Sequence, residues 1–117
     1  MKMKFVNLTP HALTIVDADG NTVLSVAPSG SVARVSTQQT VVGSVGGVDV
    51  VRTVFGDVDG LPAPQPDTVY IVSTLVLQAL KANGIDRGDV VAPDTSPASV
   101  IRDNDGQIIG VKRFQVL

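Results

Sequence analysis

Arginine is the residue in this chain best suited to ligand chemistry. Five of the nine basic residues are arginines: Arg34, Arg52, Arg87, Arg102 and Arg113. A guanidinium fork binds phosphate or carboxylate through two parallel hydrogen bonds. Arg34, Arg52 and Arg102 fall in segments that pattern as strands, and a rigid sheet could bring them to one anion-binding pocket. Two further features fit an anion. Ser73 and Thr74 precede a helical segment, so their hydroxyls and the free N–H groups of the first turn lie at its positive end. His11, the single histidine, follows Pro10 and offers an imidazole as a ligand contact. The expected binding residues are therefore His11, Arg34, Arg52, Ser73, Thr74 and Arg102. For each the structural alternative is ordinary: a ring bonded to nearby backbone for His11, helix capping for Ser73 and Thr74, and solvated pairing with aspartates for the arginines.

Catalytic constellations are not evident. The string nearest to a Gly-x-Ser-x-Gly elbow, Val42-Gly43-Ser44-Val45-Gly46, lacks the first glycine and falls in a predicted hairpin. One histidine, no cysteine and no glutamate leave neither a thiolate nucleophile nor the usual metal-ligand cluster. Asp17-Ala18-Asp19-Gly20 and Asp103-Asn104-Asp105-Gly106 resemble the start of a calcium loop but have no bidentate Glu at the twelfth position. Both are expected to be hairpin turns. Phosphate cradles of the Gly-x-x-x-x-Gly-Lys-Ser/Thr and Gly-x-Gly-x-x-Gly types are lacking. The expectation is a protein without a cofactor and without enzymatic activity.

The elements that must position these residues are mostly strands. All eleven acidic residues are aspartate, which favours turns, and valine dominates the apolar set, which favours strands. A chain of 117 residues suits one domain with its own core. Strands are predicted at 3–8, 12–17, 22–26 and 32–36, and at 40–45 and 48–55 around the hairpin signal Gly46-Gly47. Residues 56–67, with Gly56, Gly60, Pro62, Pro64 and Pro66, read as an extended loop outside any ladder, either a lid or a crossing strap. Then come a strand at 68–72, one helix from Leu75 to Ala82 ending at Asn83-Gly84, and strands at 90–92, 99–102 and 107–117. Residues 68–92 could form a βαβ crossover, but a helix lying over an antiparallel sheet is preferred. The predicted fold is mainly β: a small antiparallel sandwich or barrel-like sheet with one helix near residues 74–83.

A formal charge of −2 with scattered basic residues argues against a general nucleic-acid binder. The lysine-bearing opening reaches Asn7 and Pro10 before any long apolar run, so it does not read as a signal peptide, and no stretch approaches a membrane span. A soluble, cytoplasmic protein is expected. Low charge with positive mean hydropathy predicts a homo-oligomer.

Several segments taken in order, Asn7-Leu8-Thr9-Pro10-His11, Pro28-Ser29-Gly30 leading into Ala33-Arg34-Val35, Phe55-Gly56, Gly60-Leu61-Pro62, Tyr70-Ile71-Val72-Ser73, Asp89 to Asp94 and Gly106 to Val111, span most of the chain. Their order resembles a family of small uncharacterised phage, prophage and bacterial proteins that open with Asn-Leu-Thr-Pro-His. The resemblance implies a phage or mobile-element setting and carries no functional residue across. It leads to the expectation of an accessory protein that binds, or sequesters, a small nucleotide-derived anion. The alternative is a small virion-associated or assembly protein that acts through its oligomeric surface.

Overall fold

A computed structural model describes residues 3–117; Met1 and Lys2, the start of the lysine-bearing opening, lie outside the described residues. Among the described residues there are ten strands and one helix in three sheets, a β-rich α+β fold as the composition predicts. No helix among them is long and apolar enough to cross a membrane.

The first sheet contains β1 (Lys4–Asn7), β6 (Thr68–Ile71), β7 (Val90–Pro93) and β10 (Phe114–Gln115), in the order β1-β6-β7-β10. Here the antiparallel expectation is overturned. β1 runs parallel to β6, and β6 runs parallel to β7 with Tyr70 opposite Val90, so residues 68–93 form a βαβ crossover. The reason is visible in the burial: β6 and β7 are covered along almost their whole length, as parallel strands under a crossover helix are. The crossover is α1 (Thr74–Ala82), with Ser73 as its N-cap, the serine Oγ accepting from Val76 N at 3.3 Å. It ends where Asn83 N donates to Ala79 O and Gly84 takes φ 72°, a conformation open to glycine. Val76, Leu77 and Leu80 face a core completed by Leu8, Ala33, Tyr70, Val72, Val90 and Ala92.

The second sheet runs β3-β2-β9-β8: β2 (Leu13–Val16), β3 (Thr22–Val26), β8 (Val100–Arg102) and β9 (Ile108–Val111). Its two hairpins turn by the same device. Asp17 Oδ1 accepts from Asp19 N and Asn21 N, and Asp103 Oδ1 accepts from Asp105 N and Gln107 N. The carboxylates that suggest calcium loops serve as turn acceptors. The predicted strand 107–117 is broken. After β9 the chain leaves this sheet, Lys112 N donating to Ser99 O, and rejoins the first as β10.

The third sheet is β4 (Arg34–Val45) with β5 (Val48–Asp59), turning at Gly46 and Gly47 with φ of 57° and 83°. β5 does not stop at Gly56, as predicted; it runs on until Val58 faces Val35 and Asp59 faces Arg34. Glycine inside a strand marks close approach. A Cβ at Gly56 would lie 2.5 Å from Ser36 Oγ, so a residue expected to break the strand lets the ladder continue. The prolines begin only after Gly60, and the segment they occupy is a strap: Tyr70 Oη donates to Ala63 O, and Arg87 holds Pro62 O while pairing bidentately with Asp89.

Candidate functional site

Beyond the carboxyl ends of β1, β6 and β7 lies a cleft of about 410 Å³. Thr9 and His11 reach it from the chain leaving β1, Ser73 and Thr74 from the chain leaving β6, and Thr95 from the chain leaving β7. The opposite wall comes from the second sheet: Leu13 and Thr14 at the start of β2, and Ile108 to Val111 of β9. The crevice outside the carboxyl ends of parallel strands is where open α/β sheets bind ligands. Apart from the His11 imidazole, the lining side chains are hydroxyls and aliphatic groups, with no aspartate, lysine or arginine among them.

The wall carrying His11 is fixed by Asn7, which is fully buried. Its Nδ2 donates to His11 O at 2.8 Å and to Val26 O at 3.1 Å, while its Oδ1 accepts from Thr9 N at 3.0 Å and Thr9 Oγ1 at 2.6 Å. One amide side chain thus closes the Asn-Leu-Thr-Pro-His turn and ties it to the end of β3. The main-chain oxygen of His11 is used this way. Its imidazole has no hydrogen bond to any described residue, so the alternative of a ring bonded to nearby backbone is not realised.

The opposite rim is held by two contacts that no local sequence motif marks. Gln115 Nε2 donates to Thr74 Oγ1 at 3.2 Å and to Pro93 O at 3.0 Å, joining the start of α1 to the end of β7. Beside Thr95, Asp94 accepts from Arg113 Nε through one oxygen and from Ser96 N through the other. The Arg113 hydrogen bond first, and the Ser96 N–H second, hold the Asp94 carboxyl down to about 2. Arg113, one of the five arginines suited to phosphate, is thus a rim fastener.

The predicted arginine pocket is not what the chain builds. Arg34 lines a hollow of about 330 Å³ that adjoins the main cleft, with Thr9 and Ser73 common to both. Arg52 lies far out on the hairpin. Its cross-strand partner Thr40 is six residues beyond Arg34 on β4, roughly 20 Å at 3.3 Å per residue. Arg102 belongs to the second sheet, where its guanidinium donates to Gly106 O at 2.6 Å and closes the β8–β9 turn. Alternation within a strand shows which face an arginine occupies but not which sheet the strand joins, and these three arginines fall into two sheets. Of the six expected residues, His11, Ser73 and Thr74 meet in one cleft, Arg34 stands next to it, and Arg52 and Arg102 do not take part.

Compared with protein-family models, curated proteins and solved structures, the chain has no match.

Proposed function

We propose that this is a non-catalytic binding protein that holds, and by holding sequesters, a small anionic, nucleotide-derived molecule in the cleft at the start of α1. A phage or prophage accessory protein is the setting the sequence resemblance suggests. One observation carries the reading: His11, Ser73 and Thr74 gather in a cavity beyond the parallel strands, with Arg34 across a shared Thr9–Ser73 boundary. The volume falls in the range of about 300–1,000 Å³ typical of small-molecule sites. Leu13, Ile109 and Val111 offer an apolar wall for a base, the hydroxyls suit a sugar, and the Arg34 guanidinium suits a phosphate. No aspartate lines either hollow to repel it. Arg52 and Arg102 leave the binding set.

Thermal melting against a panel of mono-, di- and cyclic nucleotides tests this. Ligand at about a hundred times its Kd would stabilise the fold by about 2.7 kcal/mol, raising Tm by about 10 °C. His11→Ala and Arg34→Ala break no side-chain hydrogen bond and should remove the shift without lowering the unliganded Tm. A panel that moves Tm nowhere sinks the reading.

A second reading, a small virion-associated or assembly protein, is favoured by the exposed β4–β5 hairpin. Its test is stoichiometric recovery of the protein from purified virions.

A further inference from the structure

Every residue from 36 to 54, nineteen in all, is exposed. This is the outer part of the β4–β5 hairpin, and it carries Val41, Val42, Val45, Val48, Val50, Val51 and Val54, each at least 40% exposed. Among the described residues the two strands pair only with each other, so both edges of the ribbon are open as well as both faces. The ribbon stretches the molecule to 51 Å in its longest direction and to a radius of gyration of 16.5 Å, against about 13–14 Å for a compact chain of this length.

A two-stranded ribbon alone in water is marginal; a third strand or a packed face is needed to stabilise it. Proteins that keep such an edge free blunt it with lysine or proline, and residues 36–54 contain neither. β4 has a bulge between Val41 and Gly43, whereas the facing stretch of β5, Val48 to Val54, supplies no extra residue there and keeps a regular edge. On that stretch Val48, Val50 and Val54 share one face with Arg52, and Asp49 and Val51 lie on the other.

From this we infer that the outer half of β5 pairs antiparallel with the same segment of a second copy of this chain, joining two hairpins into a four-stranded sheet across a twofold axis. Charge narrows the choice of partner. Within 36–54 the only ionic side chains are Asp49 and Arg52, which cancel, so the surface offers no sign for a nucleic acid or a lipid headgroup to read. A second copy brings an edge of equal length, matching valine faces and no net repulsion. The seam is seven residues a side, Val48 to Val54, and the valine faces of the two ribbons run on across it. A twofold, self-complementary contact is also the commonest form of oligomer. The inference rests on the assembly reading above and is independent of the cleft.

Native mass spectrometry and sedimentation of the full chain at about 10 µM, ten times a micromolar Kd, test it. The expected result is a dimer or a higher even-numbered oligomer, converted to monomer by the double substitution Val50→Lys with Val54→Lys, with the far-ultraviolet circular dichroism of the body retained. His11→Ala and Arg34→Ala should leave the mass unchanged. Since the chain has no cysteine, Val50→Cys treated with a short bismaleimide should yield a covalent dimer, and Lys81→Cys, on the helix, should not. This second variant decides the matter if the lysines unfold the hairpin. A wild-type monomer would overturn the inference and leave the hairpin to a different protein, as would an oligomer indifferent to the lysines in which Val50→Cys fails to crosslink. A dimer absent from virions would defeat only the virion reading; a monomer recovered from virions would defeat only this inference.

Discussion

Valine builds both the body of this protein and its hairpin arm, with opposite outcomes. Val72 and Val90 in the βαβ unit are 0% and 1% exposed, while Val45 and Val48 at the end of the arm are 72% and 68% exposed. Strand propensity is the same in both places. The difference is the opposing surface: α1 and neighbouring strands cover the body, and none of the described residues covers 36–54. β-branched composition therefore predicts where strands form and leaves open which of them become core.

Substitutions should divide along this line. Ile71→Ala, in the body and 0% exposed, is expected to cost about 2–5 kcal/mol in urea unfolding, the range for a buried aliphatic truncated to alanine. Val48→Ala should cost within about 0.5 kcal/mol at concentrations where the chain is monomeric. A larger penalty that grows with protein concentration would show the arm becoming core between copies. Equal penalties in dilute solution would break the comparison.

Next in size is Asn7→Ala, expected to cost about 2–3 kcal/mol, because Thr9 N, His11 O and Val26 O would each lose a partner that is itself fully buried. Proteolysis within residues 8–12 should quicken as the turn loosens. A variant as stable as the parent would mean that Asn7 is not what shapes this wall of the cleft.

The smallest effect concerns pH. The Asp94 carboxyl is depressed to about 2 by Arg113 and Ser96, against about 3.9 in an unfolded chain. A depressed carboxyl contributes stability above its unfolded value and loses it as pH falls through the folded one, so this contribution is full above about pH 4 and fades toward pH 2. Arg113→Ala removes the first cause. Its urea midpoint should lie below that of the parent at pH 6, and the gap should narrow at pH 2.5. A gap unchanged with pH would remove the pair as its source.

Signals confined to a few neighbouring residues are legible in the amino-acid sequence. Ser73 as a cap, Asn83-Gly84 as a helix end, Gly46-Gly47 and the two aspartate turns each carry their geometry within a handful of positions. Three binding candidates, His11, Ser73 and Thr74, stand out for the same reason. Pairing across long separations leaves no such trace. That β1 lies beside β6, that β2 lies beside β9, and that Gln115 reaches Thr74 follow from tertiary packing. Arg52 and Arg102 are misplaced by the same gap, since strand patterning locates each on its own strand and is silent on the sheet that strand joins. Asn7 opens the segment that carries the family resemblance, and its bonds to Thr9 and His11 are local, but the bond to Val26 O reaches another strand and has no local signal.

The arm also occupies an early place in the chain. β5 ends at Asp59 and β9 begins at Ile108, so the ribosome finishes the hairpin roughly fifty residues before the strands that complete the two larger sheets. At about 5–20 residues per second that interval lasts several seconds, whereas a hairpin closes in about 1–10 µs. If copies pair through the arm, nascent chains growing along one messenger would be able to meet by it before β9 and β10 are in place.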